Sequence, residues 1–332
     1  MTDAISGKTV LFITTKNLDY IRNVQEIGLL KKYAASYTVI GSYSRYYPFR
    51  IITVFLRLLF IPVAAFDVIF IGFSPQLVLP FFRRKFRKKY ILIDFFISLY
   101  DTFCLDRQKF SPKGIPGRFL HQLDSLTLSL ADLIICDTVT HGQYFIEEFR
   151  LPPHRLHPLY LTADAAIYHP TRARKPDQLQ DKFIVLYFGS ILPLQGTDIV
   201  LKAMSLLKEK KDIFFYFIGP VKDKSLQALC PQSLNIRYIS WLPQKELAEL
   251  IGQSDLCLAG HFSKTVAKAS RTIPGKAYIY QAMKKPMILG DNPANHELFH
   301  PNPDTVFVEM GNPQALADAI ISCFNCHTNT SR

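Results

Sequence analysis

Three cations fall within the nine residues Lys268-Ala269-Ser270-Arg271-Thr272-Ile273-Pro274-Gly275-Lys276, at spacings of three and five. The segment lies between a short apolar run and a stretch of helical periodicity. In an open parallel sheet, ligands sit beyond the carboxyl ends of the strands. Cations there, with oriented N–H groups, hold a phosphorylated ligand and meet the charge that grows on a departing diphosphate. The plainer alternative is a solvated basic loop. A second candidate is Gly189-Ser190-Ile191-Leu192-Pro193-Leu194-Gln195-Gly196, which follows the apolar run Phe183–Phe188 and precedes a helix. A glycine-bearing turn at a helix N-terminus suits phosphate. Such turns also join many strands to helices that bind nothing.

Other chemistry-bearing residues carry less. His141 closes Asp137-Thr138-Val139-Thr140-His141 after an apolar run. It is placed either to touch phosphate or acceptor, or to follow a helix start capped by Asp137 or Thr138. Cys323-Phe324-Asn325-Cys326-His327 has the spelling of a haem-attachment site, but no secretory signal supplies the compartment for that chemistry. Zinc would need a second ligand pair, and none is spaced for it. These are expected to be tail cysteines after a last helix.

The elements that position these residues alternate. In the second half, strands are expected at Phe183–Gly189, Ile213–Gly219, Ile236–Ser240, Leu256–Ala259, Met287–Leu289 and Thr305–Val308. Helices are expected at Thr197–Lys210, Ser225–Leu229, Gln244–Ile251, Lys276–Met283, Ala294–Phe299 and Pro313–Cys323. The first half repeats the plan, with strands at Val10–Thr14, Tyr37–Ile40, Val68–Ile71, Tyr90–Ile93 and Leu133–Cys136, and helices such as Val24–Tyr33 and Phe119–Leu130. Short apolar strands alternating with helices mean parallel sheets covered on both faces. A chain of 332 residues exceeds what one core usually reaches, so two domains are expected. The polar, proline-bearing segment Pro170–Asp181 marks the linker. The organisation is then a domain over 1–169, a linker over 170–182 and a domain over 183–332.

The chain carries 39 Lys and Arg against 27 Asp and Glu, a net charge of +12. Its densest basic run is Arg83-Arg84-Lys85-Phe86-Arg87-Lys88-Lys89. With Phe81, Phe82, Phe86 and Tyr90 interleaved, the run could meet an anionic membrane surface; the alternative is a solvated loop. No nucleic-acid recognition motif accompanies the charge, so nucleic acid is not expected as a partner. Ile51–Phe73 is long enough to span a bilayer, yet it holds Arg57, Pro62 and Asp67. Charges at a helix centre are costly, and the stretch reads instead as a helix over Arg50–Phe60 and a buried strand over Asp67–Gly72. The apolar run Val10–Ile13 is too short for a signal-peptide core. A cytoplasmic protein with reduced cysteines is expected.

Several segments in the same order resemble glycosyltransferase family 4. Ile273–Phe299 (IPGKAYIYQAMKKPMILGDNPANHELF) looks like that family's donor-binding signature, and Tyr187–Leu207 resembles the first turn of its C-terminal domain. Ile93–Arg107, Ala131–His141 and Ala166–Pro170 resemble its N-terminal and junction motifs. The resemblance implies a GT-B fold, an α/β architecture of two Rossmann-like domains with parallel sheets facing a central cleft. It implies a retaining transferase that moves a sugar from a nucleoside diphosphate sugar to a glycan or lipid-linked acceptor in cell-surface polysaccharide or glycolipid synthesis, with no metal or other cofactor. Lys268, Arg271 and Lys276 would then grip the diphosphate, with Gly189, Ser190, Gln195 and Gly196 on the first turn. Gly290, Asp291 and Asn292 would lie beside the donor sugar. Tyr100, Asp101, Thr138 and His141 would face the cleft from the acceptor side, and Arg271, Lys276 and Asp101 would be the catalytic set. Two departures from the pattern stand out. Ser190 and Gln195 stand where the first turn often carries Arg and Lys. Ile279 stands where a glutamate usually binds the ribose hydroxyls, and an alkyl side chain accepts no hydrogen bond. Ribose would then be held by Tyr280, Gln281 or backbone. The alternatives are a weak or inactive GT-B binding subunit of a glycosyltransferase complex, or a GT-B epimerase or phosphorylase.

Overall fold

The structure is a computed structural model and describes residues 1–171 and 173–330. Arg172, inside the expected linker, and Ser331 and Arg332 at the end of the expected second domain lie outside the described residues. The chain divides into two compact units, Met1–Thr162 and Ala163–Arg332.

The first unit holds six parallel strands: β1 (Thr9–Ile13), β2 (Ser36–Ile40), β3 (Val68–Ile71), β4 (Tyr90–Asp94), β5 (Leu133–Cys136) and β6 (Leu156–Pro158), in the order β2-β1-β3-β4-β5-β6. Val10, Leu11, Phe12 and Ile13 pair in register with Val68, Ile69, Phe70 and Ile71. All eight side chains are buried, which is why both strands are unbroken apolar runs rather than alternating ones. Six helices accompany the sheet: α1 (Thr2–Ile5), α2 (Ile21–Tyr33), α3 (Tyr47–Phe60), α4 (Leu79–Phe86), α5 (Ile115–Ser129) and α6 (Val139–Phe149). The long apolar stretch 51–73 is indeed a helix followed by a strand. Among the described residues no helix is long and apolar enough to cross a membrane. The basic run is not a loop: most of it is helical, because Phe82 and Phe86 recur four apart and are both buried against the sheet.

The second unit repeats the plan with β7 (Phe183–Phe188), β8 (Ile213–Ile218), β9 (Ile236–Ile239), β10 (Leu256–Leu258), β11 (Met287–Gly290) and β12 (Thr305–Val308), in the order β12-β11-β10-β7-β8-β9. Its helices are α7 (Thr197–Leu206), α8 (Lys224–Ala228), α9 (Gln244–Gln253), α10 (Gly275–Ala282), α11 (Pro293–His296) and α12 (Pro313–Thr330). The last helix runs past Cys323, and its Leu316, Ala317 and Ile320 are buried in the core. The expected linker segment is tied to this unit. Lys175 donates to Asp255 Oδ2 at 2.6 Å and to the Lys182 carbonyl at 2.8 Å. Thr171 and Ala173 press on Gly252, where a Cβ would lie 2.7 Å from Thr171 Oγ1.

In each sheet the strand order reverses once, between β1 and β3 and between β7 and β10. Loops leaving opposite sides of such a point diverge and open a crevice. The first unit's carboxyl edge is held by a buried cation. Arg22, on α2, donates from Nε and Nη2 to the two carboxylate oxygens of Asp94 at 2.7 and 2.9 Å. It also donates to the Leu159 carbonyl and stands 3.7 Å from Asp137, so one guanidinium joins the ends of β4, β5 and β6. Glu26, one turn along α2, is buried as well. Burial, and then the neighbouring Asp94 charge, push its carboxyl well above the ordinary range. Removing one partner of such a pair strands the other charge. Asp94→Ala is expected to destabilise the protein by about 3–5 kcal/mol, measured as the shift of the chemical-denaturation midpoint.

Candidate functional site

The second unit's crevice lies between the ends of β7 and β10, and one side chain occupies its floor. Lys276, in the first turn of α10, is 5% exposed. Its ammonium stands 4.0 Å from the centre of the Tyr187 ring. A Cβ on Gly189 would come within 3.1 Å of Nζ, and one on Gly260 within 2.8 Å. The ammonium thus sits against the backbones that leave β7 and β10, and only glycines leave it that room. Nζ has no hydrogen-bond partner among the described residues, and burial pushes its pKa well below that of an ordinary lysine. A buried ammonium without a carboxylate is costly; a ring face offsets part of that. An anionic ligand oxygen would supply what the protein does not.

The surrounding loops are pinned to one another. Gly196 is in the left-handed region at φ 64°, and a Cβ there would meet the Phe262 carbonyl carbon and Ser263 nitrogen at 2.7 Å. The Phe262 N–H donates to the Gln195 carbonyl at 3.2 Å. Gly196 therefore does more than open α7: it lets the first turn lie directly on the loop after β10. Gln195 Oε1, buried and without a donor, lies beside Gly260. Ser190 is exposed at the rim. Lys268 sits in the 3-10 turn Ala267–Ser270 and Arg271 follows it, both half-buried and both engaged by neighbouring groups.

His261 was not singled out from the sequence. It follows Gly260 with φ 56°, is buried, and its Nδ1 donates to the Thr272 carbonyl at 2.8 Å. A carbonyl only accepts, so the proton is on Nδ1. This bond ties the β10 loop to the segment carrying Lys268, Arg271 and Lys276. No short motif announces it; a lone histidine gains meaning only from its neighbours in space.

Beyond β11, the three expected donor contacts divide. Gly290 packs on His261, where a Cβ would lie 2.7 Å from its carbonyl oxygen. Asn292 is buried and caps α11 by accepting from the Asn295 N–H at 2.9 Å. Asp291 is exposed and paired with His296 at 2.7 Å. Ile279 is half-buried and Gln281 exposed. Tyr280 does not fit the ribose role given to it: it is fully buried and its hydroxyl donates to the Leu258 carbonyl at 3.3 Å.

In the first unit, Asp101 is fully buried and opens a π-helical turn, Asp101–Asp106. Thr138 is also buried and caps α6 by accepting from the His141 N–H at 2.9 Å. His141 is fully buried, 3.8 Å from Asp137 and packed on Phe145. Tyr100 is half-buried and stands edge-on to His121. Asp124 organises this stretch: it accepts from Ser98 Oγ, the Leu99 and Tyr100 N–H groups, and Gln76. Side chains more open to solvent also follow the strands of this edge. After β1, β3 and β4, Tyr20, Phe73 and Phe96 form an aromatic cluster with centroids 5.8 to 6.4 Å apart, and Lys16 lies over the Tyr20 and Phe73 rings. All four are half-exposed. Among the described residues no group of three or more His, Cys, Asp or Glu is placed to hold a metal ion, the Cys323–His327 segment included.

Burial pushes the His261 imidazole from its ordinary 6.5 down to about 3, with Lys276 and Lys268 acting in the same direction. Between these values the unfolded chain binds a proton there and the folded chain does not, so stability falls as pH drops from 6.5 towards 3. His261→Asn, which tolerates the left-handed backbone, is expected to flatten that limb when wild type and variant are compared by denaturation across this range.

Residues 182–326, nearly the whole second unit, match the family described as Glycosyl transferases group 1. No curated protein matches the chain in sequence. Solved structures match across both units. HepE of Anabaena in complex with UDP-glucose gives a TM-score of 0.66 at 13% identity, covering 97% of this chain and 91% of that one. Sucrose-phosphate synthase from Thermosynechococcus elongatus gives 0.67 at 12% identity, covering 96% and 90%. A glycosyltransferase from Rickettsia africae gives 0.62 at 17%, covering 96% and 88%. The fold is therefore GT-B, with a six-stranded parallel sheet in each of two Rossmann-like domains, and the second domain is similar over nearly its full length to group 1 glycosyl transferases.

Proposed function

We propose that this protein is a glycosyltransferase that takes a sugar from a nucleoside diphosphate sugar held on the second unit. The observation that carries the reading is the buried, carboxylate-free ammonium of Lys276 between Gly189 and Gly260. When the sugar–phosphate bond breaks, negative charge grows on the leaving diphosphate. A cation already desolvated and held in place meets that charge without reorganising. Lys268 and Arg271 stand on the adjoining turn as further cations, and His261 keeps that turn against the β10 loop. In this reading the cations serve in place of a metal. HepE is solved with UDP and with UDP-glucose, which makes UDP-sugars the first donors to test. The first unit would receive the acceptor, a glycan or lipid-linked sugar. The Tyr20–Phe73–Phe96 cluster with Lys16 offers ring faces for sugar and one cation for phosphate. Retention of configuration, a part in cell-surface polysaccharide or glycolipid synthesis, and a peripheral cytoplasmic membrane site through Arg83–Lys89 belong to the same proposal.

A second reading is favoured by Ile279, which places an alkyl side chain where ribose would seek a carboxylate: a GT-B subunit that binds nucleotide sugar without transferring it. Incubation with labelled UDP-sugars and a membrane extract separates the two. Released UDP with labelled acceptor supports the transferase, and binding without turnover supports the subunit.

Lys276→Ala is expected to lower kcat/KM by about 10²–10³-fold. The melting temperature of the free protein should hold or rise, because a buried unpaired charge has been removed. A purely structural lysine would give the opposite pair of results. Because burial lowers the Lys276 pKa, kcat/KM should fall on the alkaline side at a pH below that at which an exposed lysine titrates.

A further inference from the structure

Helix α3 packs inward with a narrow stripe, Arg50, Val54 and Leu58. The opposite stripe is also apolar. Phe49, Ile52, Leu56, Leu59 and Phe60 are all exposed, Phe60 to 84%. An ordinary surface helix turns polar residues to water, and scattered single apolar residues are normal, but a contiguous stripe marks an interaction surface. At fourteen residues, α3 is shorter than the roughly 20 that a span requires. A helix of this kind lies in a membrane interface rather than across it.

Two further features meet on this helix. Its C-terminal end and the edge strand β2 border an open, mostly apolar groove of about 510 Å³, lined by Thr38, Val39, Leu56, Arg57, Phe60 and Ile61. Along the chain on either side of α3 the charge is one-sided: residues 27–93 hold eleven Lys and Arg and a single acidic residue, Asp67. That carboxylate is engaged by the N–H and hydroxyl of Thr9. The basic helix α4 is fixed to α3. Phe55 packs on Phe81 and Phe82 at 5.7 and 5.2 Å, and Lys85 donates to the Leu58 and Leu59 carbonyls at the end of α3. Lys85 and Lys89 are thus spent on carbonyls, and Phe82 and Phe86 on the core. Of the basic run, Arg83, Arg84, Arg87 and Lys88 remain exposed, and its neighbouring rings, apart from Phe81 and Tyr90, do not reach the surface. The apolar part of this surface is α3, not the basic run.

We propose that the first unit docks on an anionic lipid bilayer through α3. The outward stripe sits at the boundary of headgroups and chains, and the groove beside β2 takes one lipid hydrocarbon chain. Arg45, Arg57, Arg83, Arg84, Arg87 and Lys88 face the headgroup phosphates. Apolar depth ringed by cations matches a surface that is hydrocarbon inside and anionic at headgroup level. The one-sided charge is what argues for lipid: a cationic rim with no acid in it calls for a uniformly anionic counterpart, which a headgroup layer supplies.

Trp241 is the sole tryptophan and lies in the second unit, so the double variant Trp241→Phe, Phe60→Trp reports from α3 alone. Its emission is expected to be quenched by phosphatidylglycerol-containing vesicles with brominated chains and not by unbrominated ones. Ile52→Glu and Leu56→Glu should each weaken vesicle binding in sedimentation by on the order of tenfold or more, the cost of one large apolar side chain. Their melting temperatures should not change, since both positions are exposed. Emission that ignores the bromines, an unchanged Leu56→Glu, or equal binding to pure phosphatidylcholine would overturn the proposal. So would a lipid-free dimer that Leu56→Glu dissociates, which would assign the face to a second copy of this chain. No nucleotide enters these assays, and Lys276→Ala should bind vesicles like the wild type, so this proposal and the donor-site reading stand or fall separately.

Discussion

A lysine ammonium buried without a carboxylate is the constraint on which the second unit's carboxyl edge depends. Lys276 reaches the floor of the crevice only because Gly189 and Gly260 carry no side chains, and the Tyr187 ring beneath it is the nearest compensation. Gly196, pressed on Phe262 and Ser263, and the His261–Thr272 hydrogen bond hold the loops at that spacing. Their effect is to keep a desolvated cation where the two loops diverge. Such a site costs stability and is prepared to receive negative charge.

The first unit settles the same problem the other way. Its carboxyl edge also has a buried cation, but Arg22 is satisfied by a bidentate carboxylate, a carbonyl and a more distant aspartate. Asp94 and the Leu159 carbonyl take three of the Arg22 donors, and the side chain is buried. Arginine suits this bracing role because its planar fork matches a carboxylate in two bonds. Lysine suits the other, since its pKa yields to burial and recovers when an anion arrives. The partly open groups of the first unit's edge are instead the aromatic cluster after β1, β3 and β4, with the half-exposed Lys16 over two of its rings.

Away from both crevices, α3 departs from the pattern that makes the rest of the first unit an ordinary Rossmann-like layer. Helices α2 and α4 turn charge outward, as the exposed Lys31, Lys32, Arg83 and Arg84 illustrate, and α5 exposes a sparser apolar set, Ile115, Phe119 and Leu126. Helix α3 turns Phe49, Ile52, Leu56, Leu59 and Phe60 outward with no acid near it in the chain. Packing against the sheet uses only its inner stripe, so nothing in the fold of the unit requires the outer one to be apolar.

The layers can be read from the residues alone. Strands buried on both faces must be continuous apolar runs, and VLFI, VIFI, FIVLYF and IFFYFI are legible as such without coordinates. The split of 51–73 into helix and strand followed from the cost of Arg57 and Asp67 in a span. The cationic turn 268–276 was legible because its spacing places three charges after a strand. Tertiary structure decided what those charges do: which is buried and unpaired, and which are engaged by neighbours. It also decided that Asn292 and Thr138 are helix caps, that Tyr280 points into the core, and that β6 and α4 exist, since three residues of edge strand and a charge-rich short helix carry too little periodicity to show. His261, Arg22 and Asp124 were invisible for one reason. Each acts on residues distant in the chain, eleven away for His261 and Thr272 and 72 for Arg22 and Asp94, and no local pattern records a partner that only folding brings near.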